Sequence, residues 1–168
     1  MSDSTPVTQA LDTIGIRYRF FRHSGPVHSV EQAAQERGQS PDQVVRSILF
    51  RISHDHYVMV LAAGPHQISW PALRSYLGHS RLTLARPDEV LQVTGYPIGA
   101  VSPFGLPNSM RILVDQHVLE HAEISIGSGV RNTTVILQSQ DLIKALGDVE
   151  IDNFVENEAT PGDSQEKD

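Results

Sequence analysis

The chain contains no cysteine among its 168 residues. This absence excludes disulfide bonds, zinc sites built on thiolates and a thiol nucleophile, and it fits a reducing compartment. The amino-terminal sequence MSDSTP has neither a basic nor an apolar segment, so no signal peptide is indicated. The longest apolar run, near residues 58–63, is far too short to span a membrane. We therefore expect a cytoplasmic protein with no membrane partner.

Lysine is nearly absent from the first 147 residues, which contain eleven arginines and the single lysine Lys144. This part has 12 basic and 12 acidic residues, whereas residues 148–168 have 1 and 8, which accounts for the whole formal charge of −7. A neutral body argues against a dedicated nucleic-acid binder, but not against an enzyme that contacts only the end of an RNA. The composition predicts one domain over residues 1–150 and an acidic tail over 151–168. Within the tail, we expect Ile151 and Phe154 to dock on the domain and disorder to begin at Glu156.

Capping signals and hydrophobic periodicity predict short helices that alternate irregularly with six or seven strands. A threonine–proline pair begins a helix that ends at Gly15, and Ser29 caps a helix that ends at Gly38. Residues 45–52 and 57–63 have the composition of two strands around a tight turn. Further helices are predicted over residues 71–77, over residues 87–93 and after a capping Ser139. Because several strands follow one another through short turns, we expect an α/β domain with a mixed, mostly antiparallel sheet.

The segment TGYPIGAVSPFG, residues 94–105, has three glycines and two prolines, yet it keeps Ile98, Ala100 and Val101 between them. Solvated loops are usually more polar than this. An apolar, glycine-rich loop is typical of a wall where the backbone comes close to a ligand. The simpler interpretation is a turn between a helix and a strand.

One cation, Arg46, stands at the start of the strand predicted over residues 45–52. In an extended strand it shares a face with Ile48, Phe50 and Ile52. A cation on the face of a central strand is costly unless it reaches an anion or the mouth of a pocket. Alternatively, Arg46 precedes the buried part of the strand and is solvated.

The segment PDQVVRSILF, residues 41–50, followed by the glycine-rich segment 94–105, resembles the YbaK/EbsC family. These proteins are free-standing relatives of the editing domain inserted in bacterial prolyl-tRNA synthetases. The resemblance covers about residues 5–147 and implies a barrel-like sheet flanked by short helices. It implies a trans-editing deacylase that hydrolyses mischarged aminoacyl-tRNA, with alanine or cysteine on tRNA for proline. The implied partners are the tRNA 3′ acceptor end and an aminoacyl-tRNA synthetase, with no cofactor and no metal.

The resemblance also assigns roles to individual residues, of which Arg46 and Gly99 are the candidate catalytic ones. Arg46 replaces a lysine that contacts the phosphate-bearing end of the substrate, and arginine can hold a phosphate but cannot transfer a proton. Gly99 begins the G-x-x-x-P element that shapes the amino-acid pocket, where backbone N–H groups would stabilise an oxyanion. The candidate substrate-binding residues are His23, Ser29, Ser102, Pro103, Gly127, Gly129, Asn132 and Thr133. The last four belong to GSGVRNT, which is otherwise a plain hairpin loop.

Two other functions stay open at this stage. A non-catalytic binding module of the same fold would use Arg46 to retain a ligand without turnover. A zinc hydrolase would use His117 and His121, since HVLEH fits the H-x-x-E-H signature. That site needs a long helix and a third ligand, whereas this segment is short, so a surface helical turn is the simpler interpretation.

Overall fold

The computed structural model describes residues 3–157, in which five α-helices alternate with eight strands. The helices are α1 (Pro6–Ile14), α2 (Val30–Arg37), α3 (Trp70–Leu77), α4 (Pro87–Thr94) and α5 (Ser139–Leu146). The strands are β1 (Arg19–Arg22), β2 (Val45–Ser53), β3 (His56–Ala63), β4 (Thr83–Leu84), β5 (Arg111–Asp115), β6 (Glu123–Gly127), β7 (Thr133–Gln138) and β8 (Glu150–Asp152). Two 3₁₀ turns lie at Pro41–Gln43 and Gln116–Glu120. In the part of the chain that the structure describes, every helix is too short or too polar to cross a membrane.

The ends of the first two helices follow the capping signals in the sequence. Thr5 caps α1, because its hydroxyl accepts a hydrogen bond from the backbone N–H of Thr8, and Gly15 ends the helix at a φ of 78°. Ser29 caps α2 in the same way, and Gly38 ends it at a φ of 71°. A side chain is rarely tolerated at such φ values, so these glycines fix the two helix ends.

The prediction that Ser139 caps α5 is wrong. Gln138 occupies the cap position, and Ser139 is the first residue of the helix. The Ser139 hydroxyl instead donates to the carbonyl of His121 at 2.7 Å. The serine therefore ties α5 to the segment before β6, a role that the local sequence does not reveal.

The strands form two sheets. One is antiparallel with the order β1-β7-β6, and the other has the order β4-β2-β3-β5-β8. In the second sheet β2 pairs antiparallel with β3 and β4, while β3-β5 and β5-β8 are parallel. The mixed, mostly antiparallel sheet is thus confirmed. Among residues 3–157, however, the two sheets do not close into a barrel, because only an isolated parallel bridge from Val44 to Ser125 joins them.

Alternate residues of β2 face two different apolar clusters. Val45 and Leu49 pack with α1, β6, β7 and α5 in the first cluster. Phe50 packs with α3 and Phe154 in the second. Because side chains alternate along a strand, Ser47 lies on the face of the first cluster and Arg46 on the face of the second.

The chain beyond α5 packs against the five-stranded sheet. Phe154 is fully buried, as expected, while Ile151 is 43% exposed. The Phe154 N–H donates to Asp115 Oδ1 at 2.7 Å, and the Glu156 N–H donates to the carbonyl of Gln67 at 2.8 Å. The first residues of the predicted tail are therefore held by the domain. Residues 158–168 lie outside the described residues, so their disorder stays a prediction.

Candidate functional site

A cavity of about 500 Å³ opens where the start of β2 meets α2, the loop before β2 and the β6–β7 connection. Residues of the glycine-rich segment 94–105 complete its wall. Seven of the ten predicted site residues line it: His23, Ser29, Arg46, Gly99, Gly127, Asn132 and Thr133. Tertiary structure thus brings together residues from four separate segments of the chain, 23–37, 44–47, 98–101 and 125–134.

The other three predicted site residues do not line this cavity. Ser102 is fully buried, and its hydroxyl accepts from the backbone N–H of Phe104 at 3.1 Å. Pro103 is buried beside it. A Cβ on Gly129 would meet the ring of Tyr96 at 3.0 Å, so this glycine faces the core. These three residues support the loops from the side of the core. The geometry gives no support for a contact between them and a substrate.

The two glycine-rich loops pack backbone against backbone. The Gly129 N–H donates to the carbonyl of Ala100 at 2.9 Å. A Cβ on Gly127 would lie 2.1 Å from the carbonyl oxygen of Val101, a distance at which no side chain fits. Gly99 has a φ of 95°, which L-residues rarely adopt. Glycine is therefore required at these positions to form the cavity wall.

The Arg46 side chain is half-buried and bound to the protein itself. Its Nε donates to the carbonyl of Gly64 at 2.7 Å, and its Nη2 donates to the carbonyl of His66. Both carbonyls belong to the β3–α3 connection, on the face of β2 opposite to Ser47. Burial lowers the pKa of the guanidinium. Two of its five N–H donors are used in these bonds, and the other three have no partner among residues 3–157.

The most extensive polar cluster of the cavity centres on Arg37, a residue that the sequence motifs do not single out. Its Nη1 donates to His23 Nε2 at 2.9 Å and its Nη2 to Ser125 Oγ at 2.9 Å. The other ring nitrogen of His23 lies 2.5 Å from Glu36 Oε1. The helical spacing in the sequence indicates where Arg37 is directed. It follows the buried Ala33 by four positions and therefore shares the same face of α2.

The cavity is electropositive. Arg37, Arg46 and Arg131 line it, and no carboxylate of the described residues does. Burial lowers the pKa of Arg37 to about 10, so it stays charged at neutral pH. Arg131 is exposed, and its Nε donates to the carbonyl of Ile98 at 3.1 Å, which leaves other N–H groups free for an anion at the rim. Such a lining favours a ligand that carries phosphate groups.

Five hydroxyl-bearing residues line the cavity, namely Ser29, Ser47, Ser125, Thr133 and Thr134. Thr134 Oγ1 donates to the carbonyl of Ile126 at 2.7 Å. Ser125 Oγ accepts from Arg37. Ser47 Oγ is buried and has no hydrogen-bond partner within residues 3–157. A buried hydroxyl without a partner costs free energy, so Ser47 is available to a ligand or to a water molecule.

The H-x-x-E-H segment does not place its histidines on one α-helical face. Gln116–Glu120 is a 3₁₀ turn, and His121 follows it in extended conformation, at φ −116° and ψ 140°. His117 Nδ1 lies 2.7 Å from Asp115 Oδ2. Over the range that the structure describes, no group of three His, Asp or Glu residues is placed to hold a metal ion.

Proteins with similar sequences include proline–tRNA ligases and the protein YwhH. The Proline--tRNA ligase of Thermosipho melanesiensis is 33% identical over 110 residues, which is 66% of this chain but 19% of the ligase. The uncharacterized protein YwhH of Bacillus subtilis is 32% identical over 114 residues, or 68% of this chain and 72% of YwhH. The chain spans about a fifth of the length of the ligases that it matches.

A solved structure described as a proposed trans-editing enzyme for prolyl tRNA synthetase has the same fold. The TM-score is 0.84 at 23% identity, over 94% of this chain and 99% of the other. The model of the aminoacyl-tRNA editing domain family matches residues 24–145, which contain every cavity residue except His23. The chain therefore belongs to the aminoacyl-tRNA editing domain family.

Proposed function

We propose that this protein hydrolyses the ester bond of mischarged aminoacyl-tRNA in trans. Family membership supports the reaction class. The similarity to proline–tRNA ligases supports tRNA for proline as the carrier. The amino acid that we propose is removed is alanine or cysteine. The partners are then the 3′ acceptor end of the tRNA and an aminoacyl-tRNA synthetase, and the location is the cytoplasm.

One observation carries the proposal: the cavity combines an electropositive wall with a small apolar one. Val27, Val30, Ala33 and Val44 line it together with the arginines. Its volume of about 500 Å³ lies within the range of small-molecule sites. The apolar residues suit a small amino-acid side chain, while the arginines suit the phosphate of the terminal nucleotide.

The chemistry that these residues support is direct attack by water. The chain has no cysteine, and both ring nitrogens of His23 are engaged by Arg37 and Glu36, so His23 is not free to activate a serine. Water would add to the carbonyl carbon of the ester, and the bond from that carbon to the ribose oxygen would break. The ribose oxygen would take a proton, releasing the free amino acid and tRNA. Backbone N–H groups near Gly99 would stabilise the oxyanion.

The test measures release of amino acid from purified tRNA for proline charged with alanine, cysteine or proline. We expect the protein to accelerate release of alanine or cysteine over spontaneous hydrolysis, and to leave the proline ester intact. A Val27→Trp variant fills the cavity and should lose the activity. Leu84→Trp is the matched control, since Leu84 is 57% exposed and does not line the cavity.

The outcomes separate the alternatives. No acceleration with any charged tRNA, in a protein that binds a non-hydrolysable aminoacyl-adenosine analogue, would favour the non-catalytic module. Equal activity of Val27→Trp and Leu84→Trp would place the reaction outside this cavity.

A further inference from the structure

Arg37 joins three elements around the cavity through three different nitrogen atoms. Nη1 contacts His23 in the β1–α2 connection, and Nη2 contacts Ser125 on β6. Nε donates to Gln39 Oε1 at 3.3 Å, just beyond the end of α2. With all three nitrogens engaged, the plane of the guanidinium is fixed. A residue that only supplies positive charge does not need so fixed an orientation of its guanidinium.

The bond to His23 determines the protonation of that ring. An arginine N–H can only donate, so Nε2 of His23 must be the acceptor and carries no proton. The proton of the neutral ring is then on Nδ1, from which it is donated to Glu36 at 2.5 Å. The ring is 2% exposed, so no solvent competes for either nitrogen. His23 is thus held in a single neutral tautomer.

The bond to Ser125 determines the direction of that hydroxyl. Ser125 Oγ accepts from Arg37, and its own proton reaches no acceptor among residues 3–157. Ser125 belongs to the wall of the cavity, and it is fully buried in the ligand-free protein. The acceptor that this proton lacks within the protein is one that a ligand in the cavity can supply, and the charged guanidinium strengthens the hydroxyl as a donor.

We propose that Arg37 is a positioning residue of this site: it locks His23 in the Nδ1–H tautomer and aims the Ser125 hydroxyl at an oxygen acceptor of the aminoacyl-ribose end of the substrate. The substrate assignment rests on the proposed function. The tautomer does not, because it follows from contacts of the ligand-free protein alone. Glu36 contributes from the far side of His23, and its pKa lies below the ordinary value because Gln32 and His23 donate to it.

The first experiment is nitrogen NMR of the His23 ring in the ligand-free protein. We expect a protonated Nδ1 and an unprotonated Nε2 in the wild type and in Arg81→Met, an exposed arginine that does not line the cavity. Arg37→Met has a side chain of similar length without donors, and it should show mixed tautomers or a doubly protonated ring. An unchanged His23 spectrum in folded Arg37→Met would overturn the proposal.

The second experiment measures affinity for a non-hydrolysable, amide-linked aminoacyl-adenosine. Ser125→Ala and Arg37→Met should each weaken binding about five- to ten-fold, the loss expected for one hydrogen bond. The double variant should bind no more weakly than Arg37→Met alone, because Arg37 acts through Ser125. Independent, multiplying losses would contradict the proposed coupling.

A second variant, Arg37→Lys, tests the proposal if Arg37→Met does not fold. Lysine keeps the charge, but its single nitrogen cannot make the same fork of contacts to His23 and Ser125. Arg37→Lys should restore at most one of two properties, the single His23 tautomer or the affinity for the aminoacyl-adenosine analogue. Restoration of both would show that only the positive charge matters. If the NMR and binding results appear as expected but no charged tRNA is hydrolysed, the proposed function fails while this role of Arg37 stands.

Discussion

Arg46 is the residue for which sequence and structure give the most different information. Its position in PDQVVRSILF indicates a substrate contact by resemblance. Its hydrogen bonds to the carbonyls of Gly64 and His66 show that it also holds the β3–α3 connection. The substrate contact stays a prediction, and the structural role can be measured separately.

Replacing Arg46 with methionine should destabilise the fold. The two carbonyls would lose their charged donor, at a cost of about 1–3 kcal/mol. Arg46→Lys should recover part of this loss, since one ammonium group can reach one carbonyl. Urea unfolding measures both variants against Arg81→Met, whose side chain is exposed. If Arg46→Met is as stable as that control but binds the aminoacyl-adenosine analogue weakly, the role of Arg46 lies in substrate binding alone.

At the scale of elements, the two glycine-rich loops act as one unit. Residues 98–101 and the β6–β7 connection meet through backbone contacts, and the cavity wall depends on how closely they approach. The sequence predicted both loops from their glycines. Their direct contact could not be predicted, because it depends on how two distant turns pack in the fold.

Gly127→Ala should destabilise the protein on the order of 3 kcal/mol, the upper end of the cost of overpacking. The added Cβ would meet the Val101 carbonyl at 2.1 Å, and that backbone would have to move. Thermal unfolding should show a loss of roughly 6–12 °C. Gly25→Ala is the matched control, because Gly25 also lacks a positive φ and has nothing within 4 Å of the added Cβ. Equal melting temperatures for the two variants would show that the loops separate easily.

At the scale of the whole molecule, the carboxyl-terminal segment closes the second apolar cluster. Phe154 packs edge-to-face on Tyr76, with ring centroids 5.0 Å apart. Val155 forms an antiparallel bridge with Ile68. The domain therefore needs the chain at least as far as Val155.

Two truncations test where the folded domain ends. Removal of residues 158–168, EATPGDSQEKD, should change the melting temperature by no more than about 1 °C, because this segment has almost no apolar area to bury. Truncation after Asn153 removes Phe154 and should cost about 3–5 kcal/mol or more, as for other large buried side chains. Calorimetry of both proteins measures the difference. A large loss from the shorter deletion would show that residues 158–168 contribute to the fold.

The sequence by itself determined the local features of this protein. Thr5, Ser29, Gly15 and Gly38 mark helix ends because capping depends on neighbours within one turn. The alternation in β2 follows from the same local geometry. Family membership was also readable, because the motifs that carry it are short and continuous.

Only the tertiary structure decided what the cavity side chains do. Ser125 lies 88 positions from Arg37, yet the two share a hydrogen bond, and β8 is a strand only because β5 pairs with it. The binding of Arg46 to two carbonyls and the unpartnered hydroxyl of Ser47 likewise depend on contacts between distant segments. The partners of a side chain depend on where distant segments of the chain fold. Local periodicity in the sequence carries no information about those positions.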